Sequence, residues 1–229
     1  MYLFLTFVAV FLALVTGNNE TLGHGGMKCT PGVHIIVARA SLEAPGPGIM
    51  GAVAEKIINR MPGSDIVAVD YPALLDPYVP SQTAGVANMT KMVQEYAEEC
   101  PRTNMVLMGY SQGAHVTADV LCGASEANFP TTKPQCSSIT DKIAAVVLMG
   151  DPSFTAGQPY NLGTSKGSGI FPRQNPAGCN FVHNKMISIC DAGDLFCEAG
   201  SDDLAVHMSY VANWGDLAAD YVVSMYNSC

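Results

Sequence analysis

The sequence predicts a single α/β domain built on a parallel sheet, on three observations. Short runs rich in Val, Ile and Met alternate with longer amphipathic stretches. The apolar runs are continuous and do not alternate with polar residues, as expected of strands covered on both faces. A length of 229 residues suits one such domain and is short for two. Five runs read as strands: Val33 to Ala38, Ile66 to Asp70, Met105 to Gly109, Ile143 to Gly150 and Lys185 to Cys190. Between and after them, Gly51 to Arg60, Thr83 to Glu99, Ala114 to Leu121 and Tyr210 to Tyr226 have helical spacing. The expected architecture is a central five-stranded parallel sheet flanked by helices on both faces, with no lid. The Pro/Gly-rich section from Gly157 to Gly178 reads as an irregular excursion within it.

Composition narrows the function. Hydrophobic residues make up 48% and charged ones 14%, enough apolar material for a buried sheet. The net charge of -9 lacks the basic footprint that phosphate backbones require, which argues against nucleic acid as a partner. Residues 1–17, MYLFLTFVAVFLALVTG, have the apolar run and small-residue ending of a secretory signal, though the only positive charge ahead of the run is the terminal amine. Residues 18–28 read as a flexible leader, and the domain spans 29–229. Eight cysteines then point to disulfides formed outside the cell, and the sequons at Asn19 and Asn88 agree with export and glycosylation. The mature chain is expected to be secreted and monomeric, with no stable membrane association.

The strongest chemical signal is Gly109-Tyr110-Ser111-Gln112-Gly113, placed after a strand and before a helix. A serine in that strand-turn-helix context sits on a tight elbow with its hydroxyl above the sheet, and the Gln112 amide at the helix start faces any developing oxyanion. Such a serine needs a histidine to take its proton and a carboxylate to orient that histidine. In this fold the order is Ser, acid, His. Only His183 and His207 follow Ser111, and His183 precedes the last strand, at the end away from the chemistry. His207 is therefore the candidate base. His34 and His115 read as polar members of a strand and a helix.

Asp151, Asp191, Asp194, Asp202 and Asp203 are available as the acid. Asp194 is preferred, because a bridge between Cys190 and Cys197 would close a small loop around it. Asp191 reads as structural, bonding its own loop's amides, and Asp151, a turn former before Pro152, is the main rival. His24-Gly25-Gly26 resembles an oxyanion motif but precedes the first strand. The second oxyanion donor should come from the loop after strand one, with Ser41 the candidate.

Taken together, CTPGVHIIVARAS, GYSQGA, MGDPSF, CDAGDLFC and a histidine thirteen residues after Asp194 resemble the cutinase and acetylxylan esterase family, from Cys29 to about Tyr226. The resemblance implies an α/β-hydrolase-type serine ester hydrolase with the triad Ser111, Asp194 and His207, oxyanion donors Ser41 and Gln112, and neither cofactor nor metal. It also implies disulfides Cys29–Cys100, Cys190–Cys197 and Cys122–Cys179, leaving Cys136 and Cys229 as a possible further pair. The expected substrate is an ester of a plant cell-wall polymer, with deacetylation of polysaccharide first. Cutin-like polyesters or short-chain acyl esters are the alternative, since Leu74, Leu75, Leu195, Phe196, Leu204 and Val206 could form an apolar rim. A secreted cell-wall binding protein without turnover is the reading from another class.

Overall fold

The computed structural model describes residues 28–228. The signal segment, the leader with Asn19 and His24, and Cys229 lie outside the described residues. The described elements run β1 (His34–Ala38), α1 (Gly51–Arg60), β2 (Asp65–Ala68), α2 (Tyr78–Glu99), β3 (Met105–Tyr110), α3 (Gln112–Cys122), α4 (Ser137–Thr140), β4 (Ile143–Met149), β5 (Asn161–Leu162), β6 (Met186–Ile189), α5 (Leu204–His207) and α6 (Tyr210–Asn227).

The strands form one open sheet in the order β2-β1-β3-β4-β6-β5, every neighbouring pair parallel. The side-chain alternation of each strand divides the core in two. Ile36, Leu107 and Val146 point to the α2/α3 side, where Met89, Val93 and Val116 cover them. Val37, Val106, Met108 and Val147 point the other way, onto Val53 and Ile57 of α1 and Ala218 and Val222 of α6. β3 and β4 are buried throughout. Both faces are thus sealed, which explains why the strands read as unbroken apolar runs.

Three features differ from expectation. The sheet has six strands where five were expected, because Asn161–Leu162 adds a short edge strand inside the Gly157–Gly178 excursion. Two residues paired through the carbonyls of Tyr160 and Leu162 leave no hydrophobic period to read. α2 begins at Tyr78 and not at Thr83, since Pro80 falls in the first turn, where a missing N–H costs nothing. The segment before the terminal helix contains the one-turn helix α5, which ends on His207 and is capped by Asp203.

Candidate active site

The strand order reverses direction at β1 and β3, and in doubly wound sheets the crevice beyond the carboxyl ends at such a point is where ligands bind. β1 runs into the loop holding Ser41, and β3 runs into Ser111. Ser111 has φ 53° and ψ -119°, a conformation costly for any residue with a side chain and one held by its surroundings. Its N–H donates to the Met149 carbonyl at 2.9 Å, and its carbonyl accepts from His115 N–H at 3.1 Å. The flanking glycines follow from contact. A Cβ on Gly109 would lie 2.2 Å from the Gly113 carbonyl oxygen, and one on Gly113 would lie 2.0 Å from that of Ala38. The start of α3 is therefore pressed against the end of β1, beside the Ser41 loop.

Ser111, His207 and Asp194 come together although 96 and 13 residues separate the bonded pairs. His207 Nε2 is 2.9 Å from Ser111 Oγ, and His207 Nδ1 is 2.7 Å from Asp194 Oδ2. With the ring proton on Nδ1, facing the carboxylate, Nε2 is free to accept from the serine. The other oxygen of Asp194 accepts from the amides of Phe196 and Cys197 at 2.7 and 3.1 Å. Burial pushes the Asp194 carboxyl up, but the His207 hydrogen bond and charge and these two amides outweigh it and hold the group below its ordinary range. The imidazole is packed as well as bonded. Tyr110 stacks on it at 5.3 Å between ring centres, Phe196 meets it edge-on at 4.6 Å, and Tyr110 donates its hydroxyl to the His207 carbonyl.

Gln112 starts α3, with its side chain anchored at both ends: Oε1 accepts from Ser81 at 3.0 Å and Nε2 donates to the Leu74 carbonyl at 2.8 Å. Its backbone amide is thereby set at the helix's positive end. Across from it, the Ser41 loop is clasped by Glu43, which accepts from the amides of Ala40 at 2.6 Å and Ile49 at 2.7 Å. Arg39 donates to the carbonyls of Glu43 and Tyr71. Ser41 Oγ is buried and has no hydrogen-bond partner, a donor left open beside Ser111.

These groups open on a cavity of about 500 Å³. Of the six rim residues expected from sequence, Leu75, Leu195, Phe196 and Leu204 line it, whereas Leu74 and Val206 do not. Leu42, Tyr110 and Met208 line it too and were not anticipated. Leu42 itself adopts φ 67° in the loop after β1, which no periodicity announces.

The remaining candidates have other partners. His183 is half-buried at the amino end of β6, its Nδ1 3.0 Å from the Asn180 carbonyl, and His34 stacks on Tyr96 and bonds Asp65 at 2.7 Å. Asp151 is buried, accepts from the amide and hydroxyl of Ser153, and does not reach His207. The Asp191 carboxylate bonds neighbouring segments and not its own loop's amides, accepting from Thr164 at 3.0 Å and from the Trp214 indole at 2.7 Å. Asp203 caps α5 through the amides of Ala205 and Val206. Disulfides join Cys29 to Cys100, Cys122 to Cys179 and Cys190 to Cys197. Cys136 is exposed and unbridged among the described residues, and its possible pairing with Cys229 lies outside them. Asn88 is exposed on α2.

His115, Asp119 and Glu126 have donor atoms within 4.8 Å of one another, the one such grouping among the described residues. Arg173 sits on both carboxylates, at 2.7 Å from Asp119 and 3.1 Å from Glu126, and supplies the positive charge they need. This cluster was not legible from sequence, because Arg173 reaches it from the irregular excursion.

A family model described as Cutinase matches residues 29–226. Cutinase 11 of Verticillium dahliae is 35% identical over 211 residues, covering 86% of this chain and 70% of that one. Acetylxylan esterase 2 of Talaromyces purpureogenus is 34% identical over 229 residues, covering 95% of this chain and 97% of that one. A solved acetylxylan esterase superposes with a TM-score of 0.81 at 31% identity, over 87% of this chain and all of that one.

Proposed function

The chain belongs to the cutinase family of serine carboxylic ester hydrolases, and from that premise we propose that it is a secreted esterase working through Ser111, His207 and Asp194, with esters of plant cell-wall polymers as its substrates. The observation that carries the reading is the continuous hydrogen-bonded line from Asp194 through His207 to Ser111, at 2.7 and 2.9 Å. Ser111 Oγ attacks the ester carbonyl carbon while His207 Nε2 takes its proton. Asp194 holds the tautomer and offsets the charge of the imidazolium. The carbonyl oxygen, now anionic, accepts from the Gln112 amide and from Ser41. The tetrahedral intermediate collapses, His207 protonates the departing alcohol, and an acyl group remains on Ser111. Water then attacks that ester with the same histidine as base. No step calls for a cofactor.

Export is supported by the apolar leading segment and by three disulfides, which persist in oxidising compartments. Asn88, exposed on α2, is the glycosylation site proposed among the described residues. Deacetylation of polysaccharide is placed first because likeness to acetylxylan esterases extends over nearly the whole of both chains. A specific observation favours a second reading, cleavage of longer acyl esters or polyesters: Leu42, Leu75, Leu195, Phe196, Leu204 and Met208 make the cavity wall mainly apolar.

The test is hydrolysis of p-nitrophenyl esters from acetate to palmitate, with acetylated xylan and a cutin-like polyester alongside, for the wild type and Ser111→Ala. Ser111→Ala is expected to lose nearly all turnover while unfolding at the wild-type temperature. Substantial activity remaining in that variant would refute the triad. A wild type that cleaves nothing and does not react with an organophosphonate would instead support a cell-wall binding role.

A further inference from the structure

We infer that Glu198 is a positioning residue for the reaction, clamping the backbone at Gly193 and at the Asp194 carbonyl and joining the acid's loop to the base's helix. This rests on the triad reading above. Glu198 directly follows the Cys190–Cys197 loop and grips it at its centre. One carboxylate oxygen accepts from the Gly193 amide at 2.8 Å, and the Glu198 amide donates to the Asp194 carbonyl at 3.0 Å. The Ala192–Gly193 peptide before Asp194 and the Asp194–Leu195 peptide after it are thus bonded to one residue. The disulfide ties only the ends of the loop, while Gly193, at φ 98°, is the residue with the most backbone freedom to lose.

The clamp is itself anchored. The second carboxylate oxygen accepts from Ser165 Oγ at 2.8 Å, Lys166 N at 3.0 Å and Gly167 N at 3.2 Å, all on the segment after β5. On the far side, the Gly193 carbonyl accepts from Asp203 N at 3.0 Å, and Asp203 caps α5, which ends on His207. One line of contacts therefore runs from the edge of the sheet through Glu198 and Gly193 to the helix that presents the base. Hydrogen bonds from the Gly193 amide and Ser165 hold the Glu198 carboxyl down to about 2, so it is an anion with filled acceptors at any working pH. Asp194 must stay 2.7 Å from His207, and displacements of about 1 Å in such sites cost up to about 100-fold in rate.

The test is Glu198→Gln, which keeps the size but turns one acceptor oxygen into an NH2 facing N–H donors. Ser165→Ala removes a single anchor, and Ser111→Ala serves as the control. Kinetics on p-nitrophenyl acetate are normalised to active sites titrated with an organophosphonate, and thermal unfolding is followed by circular dichroism. Glu198→Gln is expected to lower kcat by about tenfold or more with KM within about twofold, and Ser165→Ala by about threefold. A clamp that served only stability would lower Tm and leave kcat per titrated site at the wild-type value in both variants, which overturns the inference. Should Glu198→Gln not fold, Ser165→Ala decides alone, and a wild-type kcat there overturns it. Turnover persisting in Ser111→Ala would remove the triad reading and this one with it, whereas loss in Ser111→Ala beside full kcat in Glu198→Gln removes this one only.

Discussion

Each side chain of the site is held by a partner that leaves it little choice. Asp194 spends one oxygen on two amides of its own loop and keeps the other for His207. His207 is held by Tyr110 and Phe196 as well as by hydrogen bonds, so the ring cannot turn without losing packing. In Asp194→Asn the amide would keep the shape yet favour the wrong imidazole tautomer. Its kcat should fall on the order of 10³- to 10⁴-fold with KM little changed, as steady-state assay of folded protein would reveal. A variant within about tenfold of the wild type would show that His207 does not depend on this carboxylate.

At the scale of elements, α3 carries the greatest conflict between chemistry and burial. Every residue from Gln112 to Cys122 is buried, His115 and Asp119 among them. Asp119 is tolerated because Arg173 arrives from the excursion between β4 and β6 and Gln82 of α2 donates to it at 2.7 Å, and His115 because the Tyr78 hydroxyl lies 3.2 Å from its Nδ1 and the carboxylates of Asp119 and Glu126 face its Nε2. The helix that sets the Gln112 amide thus owes its seating to a buried ionic cluster. Arg173→Met would leave the carboxylates of Asp119 and Glu126 without their cation, at a cost of about 3–5 kcal/mol, or roughly 10 °C in Tm. Thermal unfolding checks this, and a drop of under about 2 °C would mean that water or proton uptake replaces the arginine.

Across the whole molecule, the sheet's order brings loops after β1, β2, β3 and β6 to one end, and the cavity mouth is built from all of them. Leu42, Leu204 and Met208 are 74%, 55% and 56% exposed there, more apolar surface than an acetyl group needs. If the wall holds an acyl chain, Leu204→Asn with Met208→Asn should cut kcat/KM on octanoate about tenfold and leave acetate within about twofold. An equal effect on both esters would instead assign these residues to loop packing.

Much of this was legible in the sequence, and the boundary has a physical basis. Unbroken apolar runs announced the parallel strands because burial on both faces filters composition residue by residue. The elbow was readable because its two glycines answer to contacts within a few residues and with the adjacent strand. Residues 190–197 and His207 could be ordered by chain direction alone. What the tertiary structure decided are contacts between distant segments that no period records. Arg173 meets Asp119 across 54 residues, Glu198 reaches Ser165 across 33, and Asn161–Leu162 becomes a strand only because β6 offers its edge. Local sequence sets which groups can be buried or bent, whereas the partner that satisfies a buried charge or an open sheet edge is chosen by the packing of the complete chain.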